Sequence, residues 1–212
     1  MGLRAFEAQF QQAPLPDGGG LIDLSKFPRH TGAPKTSDAK ILKVDAATGS
    51  DTGSYSAILG GRISNGRLCV TYIFRKRMPL PELFGHVIAL VETNKVDHVV
   101  VERASSGTAL LELLWERYGH TKRCESFLQF LHPVKPTNAK TVRMEKAMIE
   151  VKAGRVYLRV SDPRLDEFEH ELLAFPNDKN DDYIDALSQL VRFFYWFMNL
   201  PACRMHRGIP PH

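Results

Sequence analysis

Cysteine is nearly absent: Cys69, Cys124 and Cys203 are the only three in 212 residues. An odd count without paired spacing excludes a disulfide framework and points to reduced thiols inside a cell. Cys203 and His206 make a C-x-x-H pair with no second pair in reach, so a surface tail is expected there rather than zinc. No apolar run reaches the ~18 residues of a membrane span. Phe193–Leu200 comes nearest, with Arg192 before it and Pro201 after it. Met1-Gly2-Leu3-Arg4 leads into polar sequence rather than a signal-peptide core, so a soluble protein is expected. There is no G-x-x-x-x-G-K-[ST], since Gly18-Gly19-Gly20 is not followed by Lys and Ser or Thr. That absence excludes a phosphate-cradling P-loop and ATP hydrolysis by this chain alone. Internal repeats, low-complexity blocks and obvious aromatic platforms for single-stranded nucleic acid are missing as well.

What is present is an ordinary globular composition. Apolar residues make up 43% and charged residues 25%, enough for one good core. A net charge of +4 and a pI of about 9.0 are compatible with a polyanionic partner.

The first 40 residues read as a tether. Gln9, Gln11, Gln12, Pro14, Pro16 and Gly18–Gly20 break any periodicity, although Phe6, Phe10 and Leu21 could dock. The core begins at Ile41. Ile41–Ala46, Tyr55–Gly60 and Leu68–Phe74 read as strands. Asn65-Gly66 lies between the last two, and both residues tolerate the positive φ of a tight hairpin. Three antiparallel strands are therefore expected. Helical spacing over Pro79–Thr93 precedes a buried strand at His98–Val101. A helix at Thr108–Tyr118 and a strand at Ser126–Leu131 follow. Asn138–Lys152 is a charged helix, Val156–Leu158 is extended, and Pro163–Ala174 is helical with Ser161 or Asp162 as cap. Asn180–Asn199 is a last long helix, with residues 201–212 a tail. Strands alternating with helices imply parallel pairing through crossovers, hence an α/β fold with a mixed five-stranded sheet.

Four acids stand out. Asp45 ends an apolar strand and is followed by small residues that admit a ligand; a turn-forming Asp is the alternative. Glu102 ends Val99-Val100-Val101, where open α/β sheets bind ligands; a salt bridge to Arg103 is the alternative. Asp182 and Asp185 are three apart on one helix face, roughly in line with Gln189 and opposite the apolar Ile184, Leu187, Leu190, Val191 and Phe194. Asn180-Asp181-Asp182 would also serve as an N-terminal cap, and Asp181 competes as a ligand through its i, i+4 relation to Asp185. Four carboxylates brought together repel unless a cation neutralises them. Oxygen donors select hard ions such as Mg²⁺ or Mn²⁺, two of which suit phosphodiester hydrolysis. Arg75, Lys76 and Arg77 end the third strand, and Lys140, Arg143 and Lys146 follow the last core strand. These are candidate phosphate contacts, with a solvated face as the alternative.

Val44-Asp45-Ala46-Ala47, Val101-Glu102-Arg103-Ala104-Ser105-Ser106-Gly107, Lys140-Thr141-Val142-Arg143, Ala153-Gly154-Arg155-Val156, and Phe175-Pro176 with Asp181-Asp182-Tyr183-Ile184-Asp185-Ala186-Leu187 carry a resemblance. Together with Phe6–Pro14, which resembles the segment leading out of an ATPase half, they make nearly the whole chain similar to the C-terminal nuclease domain of the tailed-phage terminase large subunit. That resemblance implies an RNase H-like fold over 41–200 and metal-dependent endonuclease action on concatemeric double-stranded viral DNA. It implies Asp45, Glu102, Asp182 and Asp185 as ligands of two Mg²⁺ or Mn²⁺ ions. It also implies an ATPase domain, a portal protein and a small terminase subunit as partners, and the cytoplasm of an infected bacterium as the place. The chain would then be a fragment, or a nuclease half made separately. Where the family often has His before the Asp-Asp pair, Asn180 stands here. A junction resolvase or another RNase H-like nuclease, and a non-catalytic DNA-binding or assembly module, remain the competing expectations.

Overall fold

A computed structural model describes residues 21–47, 54–120, 130–135, 137–177 and 180–200. After a short 3-10 turn at Leu24–Lys26 the elements run β1 (Arg29–His30), β2 (Ala39–Asp45), β3 (Ser56–Ser64), β4 (Arg67–Lys76), α1 (Leu80–Asn94), β5 (His98–Glu102), α2 (Ser106–Tyr118), β6 (Leu131–Val134), α3 (Lys140–Lys152), β7 (Val156–Arg159), α4 (Leu165–Ala174) and α5 (Asp182–Met198). One seven-stranded sheet has the order β1-β7-β4-β3-β2-β5-β6. The expected antiparallel triple is β2, β3 and β4. The hairpin between the last two turns on Asn65 and Gly66, at φ 50° and 75°, the left-handed values that Asn-Gly accepts at little cost. The remaining pairs, β2 with β5, β5 with β6, β4 with β7 and β1 with β7, are parallel.

Alternation along the strands divides the core between two faces. Leu42, Val44, Ile58, Val99 and Val101 pack with α1 and α2. Ile41, Ala57, Leu59 and Val100 pack with α3, α4 and α5. The product is a three-layer α/β sandwich. α5 is buried nearly all round through its first three turns. Ile184, Leu187, Leu190, Val191, Phe193 and Phe194 each contribute roughly 1.5–3 kcal/mol of burial. That total offsets the cost of also burying Asp185, Ser188 and Gln189 on the same helix.

Several expectations need correction. The sheet has seven strands rather than five, because Val156–Arg159 pairs beside β4 and the two-residue β1 extends it. The strand expected at Ser126–Leu131 is Leu131–Val134 among the described residues, while 126–129 lie outside them. Pro133 is tolerated there because β6 is an edge strand. The boundary at residue 41 falls inside the fold: Ile22, Leu24 and Phe27 are buried in the core with α4 and α5. Residues 1–20 and 201–212, including Cys203 and His206, lie outside the described residues, as does Cys124. Neither Ser161 nor Asp162 is the N-cap of α4. Arg164 holds that position, and Asp162 instead accepts the N–H groups of Arg164 and Ile73. No helix of the described residues is long and apolar enough to cross a membrane.

Candidate metal and nucleic-acid site

The register of β2 on β5 sets Lys43 against Val100 and Val44 against Val101. One residue further, the same register brings Asp45 beside Glu102. Both follow the alternation that turns Lys43 and Val100 toward α5. The sharp turn after β5 is held by Ser105 at φ 42° and by Gly107. A Cβ on Gly107 would lie 1.9 Å from the backbone oxygen of Glu102, so only glycine lets α2 seat so close behind that acid. From the opposite side Gln189 Nε2 donates to Glu102 Oε2 at 2.5 Å, tying α5 to the end of β5.

Asp182 and Asp185 precede Gln189 on the same helix, and Asp181 is the N-cap. Asp181 stands at the N-cap position expected for this stretch but makes no side-chain cap bond. Glu171 of α4 does that work across the domain. Its Oε1 accepts the N–H groups of Tyr183 at 2.7 Å and Ile184 at 3.2 Å. The aspartates are thereby released from capping. Asp45, Glu102, Asp181, Asp182, Asp185 and Lys140 line one open cavity of about 270 Å³, together with Ala46, Ala47, Ser54, Tyr55, Ala104 and Ser105. All four expected acids, and the competing Asp181, therefore meet.

The electrostatics are those of crowded carboxylates under partial burial. Burial pushes Asp45 above the ordinary carboxylate range; Lys43 opposes this, and Glu102 and Asp185 add to it. Asp182 is raised to about 6 by burial, with Arg75 opposing and Asp45 and Asp181 adding. Lys43 is fully buried beneath them, donating to Val44 O at 2.7 Å. Burial lowers its pKa against the pull of Asp45, Glu102 and Asp185. At Lys140 desolvation works against the charge, but hydrogen bonds to Asp181 and Asp185, each at 2.7 Å, outweigh it and raise the pKa. Arg143 pairs with the other oxygen of Asp185.

Among the described residues no three His, Cys, Asp or Glu side chains stand in metal-holding geometry. Lys140, Arg143 and Gln189 already engage the oxygens of Asp181, Asp185 and Glu102. The donor chemistry nevertheless fits a hard divalent ion. It is all oxygen, it converges from two strands and a helix, and burial, with neighbouring carboxylates adding to it, raises the pKa of Asp45 and Asp182 despite the flanking cations.

The six expected phosphate contacts separate. Arg75 is enclosed: it bonds Glu167 at 2.6 Å and Glu171 at 2.5 Å and stacks over Tyr55 and Tyr183. Arg77 also stacks on Tyr55, 4.2 Å from its centroid. Lys76 is exposed and pairs with Glu82. Lys140 and Arg143 face the acids, while Lys146 is exposed on α3. Three contributors had no assigned role in the sequence: Lys43, Glu171 and Gln189. A lysine inside an apolar strand was the available signal for the first, and the shared face with Asp182 and Asp185 for the last.

Known proteins share this fold. Residues 43–192 match the family "Terminase RNaseH-like domain". The comparison with curated proteins returned no match. Among solved structures, the large terminase of a thermophilic bacteriophage superposes with a TM-score of 0.59 at 12% identity, covering 82% of this chain and 44% of that one. The chain thus spans less than half the length of that large terminase. The human cytomegalovirus terminase nuclease domain gives 0.56 at 10% identity, covering 87% and 97%. The P22 large terminase nuclease domain gives 0.55 at 14%, covering 84% and 94%. The chain belongs to the terminase RNase H-like domain family and is of the nuclease-domain kind found in terminase large subunits.

Proposed function

We propose that the chain is a metal-dependent endonuclease that cuts concatemeric double-stranded DNA during viral genome packaging, in the cytoplasm of an infected bacterium. The observation that carries the reading is the meeting of Asp45, Glu102, Asp182 and Asp185, from two strand ends and one helix, around a single open cavity. These four would hold two Mg²⁺ or Mn²⁺ ions, with Asp181 as a further candidate. A manganese soak of the cytomegalovirus nuclease domain supports that choice of ion. Bound ions of this type supply a nucleophilic water and stabilise the leaving 3′ oxygen.

The protein's own groups prepare for this. Gln189 fixes the rotamer of Glu102, and Gly107 fixes the backbone beneath it. Lys43 lies under the carboxylates in the dry interior. Lys140 is half-exposed at the mouth and able to pass from Asp181 and Asp185 to a substrate phosphate. The exposed Lys76 and Arg77 would add salt-dependent, sequence-independent attraction for the backbone. Partners implied with DNA are an ATPase domain, a portal protein and a small terminase subunit. Asp45→Asn, assayed on supercoiled plasmid in Mn²⁺, is expected to lose on the order of 100-fold or more in nicking rate. Cleavage at the parent's rate would remove Asp45 from the site.

A further inference from the structure

A second cavity, of about 420 Å³, lies behind the acidic one, between α3 and α5. Its size suits a few side chains. Ala147, Ile149, Val191 and Tyr195 supply an apolar lining, and Ile149 and Tyr195 are 62% and 57% exposed. Two open apolar side chains on neighbouring helices, sharing one hollow, offer a small anchor site. The polar lining has one sign. Lys146 and Arg192 border the hollow, Arg143 is paired with Asp185, and the hollow's acid, Glu150, is paired with Arg155 through bonds of 2.6 and 2.8 Å.

Arg143 ties the hollow to the acidic cavity, lining the one and bonding Asp185 of the other. Its side chain is only 10% exposed. Its Nη1 donates to Asn138 O at 2.5 Å and its Nη2 to Asp185, but its buried Nε has no hydrogen-bond partner. A guanidinium N–H left unpaired in a buried place costs free energy.

We propose that this groove docks an acidic peptide segment of a partner protein, with an aromatic or aliphatic anchor on the Ile149–Tyr195 lining and carboxylates meeting Lys146 and Arg192. The apolar lining favours such a peptide over a nucleic-acid backbone, whose contacts are phosphate and polar. Charge also argues against the chain's own residues 201–212, which carry Arg204 and Arg207 and no acid. Because Arg143 bonds Asp185 as well, an occupant of the groove reaches the acidic cavity through one side chain.

The test is a display selection of random 12-residue peptides on the whole chain, with fluorescence polarisation of the enriched peptides. Ile149→Asp and Arg192→Glu change exposed positions and are expected to leave plasmid nicking and thermal unfolding as in the parent. Enrichment of peptides combining Asp or Glu with an apolar anchor, bound about tenfold or more weakly by both variants, supports the proposal. Enrichment of basic peptides or of none, equal binding by the variants, or displacement of the bound peptide by a 20-base-pair duplex whose own binding is also lost in Ile149→Asp, overturns it. Peptide binding needs none of the four acids, so its failure and a failure of the nuclease reading remain separate outcomes.

Discussion

Single side chains decide the chemistry. Asp45 and Glu102 were readable as acids at the ends of apolar runs, where an unpaired charge is costly. Their neighbourhood was not readable, because it depends on a register set by backbone pairing of strands far apart in the chain. Gln189 illustrates the limit: its helix face was visible, but its 2.5 Å bond to Glu102 requires the helix to be seated on the sheet. Gln189→Ala is expected to lower nicking by about 10- to 100-fold with folding retained, as for partners that orient a metal-binding carboxylate. Equal rates for variant and parent would reduce this bond to packing. The raised carboxyls give a pH dependence of definite sign. Asp182 holds its proton below about pH 6, and a protonated acid is a poor ligand. Mn²⁺ affinity measured by calorimetry should therefore rise several-fold from pH 5 to pH 7; an affinity flat across that window would take Asp182 out of the ligand set.

Elements convert those residues into a site. The period of α5 was legible, and so was the apolar face it buries. Its N-cap position at Asp181 was legible, but the side-chain acceptor for its first N–H groups was not, because that comes from Glu171 on α4. Glu171→Ala removes the oxygen that accepts two N–H groups and one of the acids around the enclosed Arg75. It should cost about 2–4 kcal/mol in denaturant unfolding, with Glu171→Gln milder because its amide oxygen still accepts. Equal loss in both would mean that the charge rather than the cap matters. The turn after β5 makes a sharper demand. Gly107→Ala must displace the backbone of Glu102 and is expected to destabilise by about 1–3 kcal/mol and to depress nicking further than the lost stability explains. An active, fully stable Gly107→Ala would show that the close approach is not needed.

At the scale of the whole molecule, the mixed sheet was legible from the order of hairpin, crossovers and helices. Its outer strands were only partly so: the two-residue β1 carries too few residues for a pattern, β6 was expected earlier in the chain, and β7 was read as extended without being counted in the sheet. Net charge was legible, but not its distribution. Arg75 is spent on packing around Tyr55, Tyr183 and Glu171, leaving Lys76, Arg77, Lys140 and Lys146 nearer the surface. Substituting exposed Lys76 by Ala should weaken duplex binding uniformly across sequences and reduce the slope of log affinity against log salt by about 0.9; an unchanged slope would remove it from the DNA path. A strong preference for four-way junctions over linear duplex would favour a resolvase. The most direct measurement is a crystal structure of the chain soaked in Mn²⁺, read from anomalous difference density. Metal peaks in the cavity bounded by Asp45, Glu102, Asp182 and Asp185, with Lys140 displaced from Asp185, are the expected result. No peak there, with Lys140 still bridging Asp181 and Asp185, would contradict a metal-dependent nuclease.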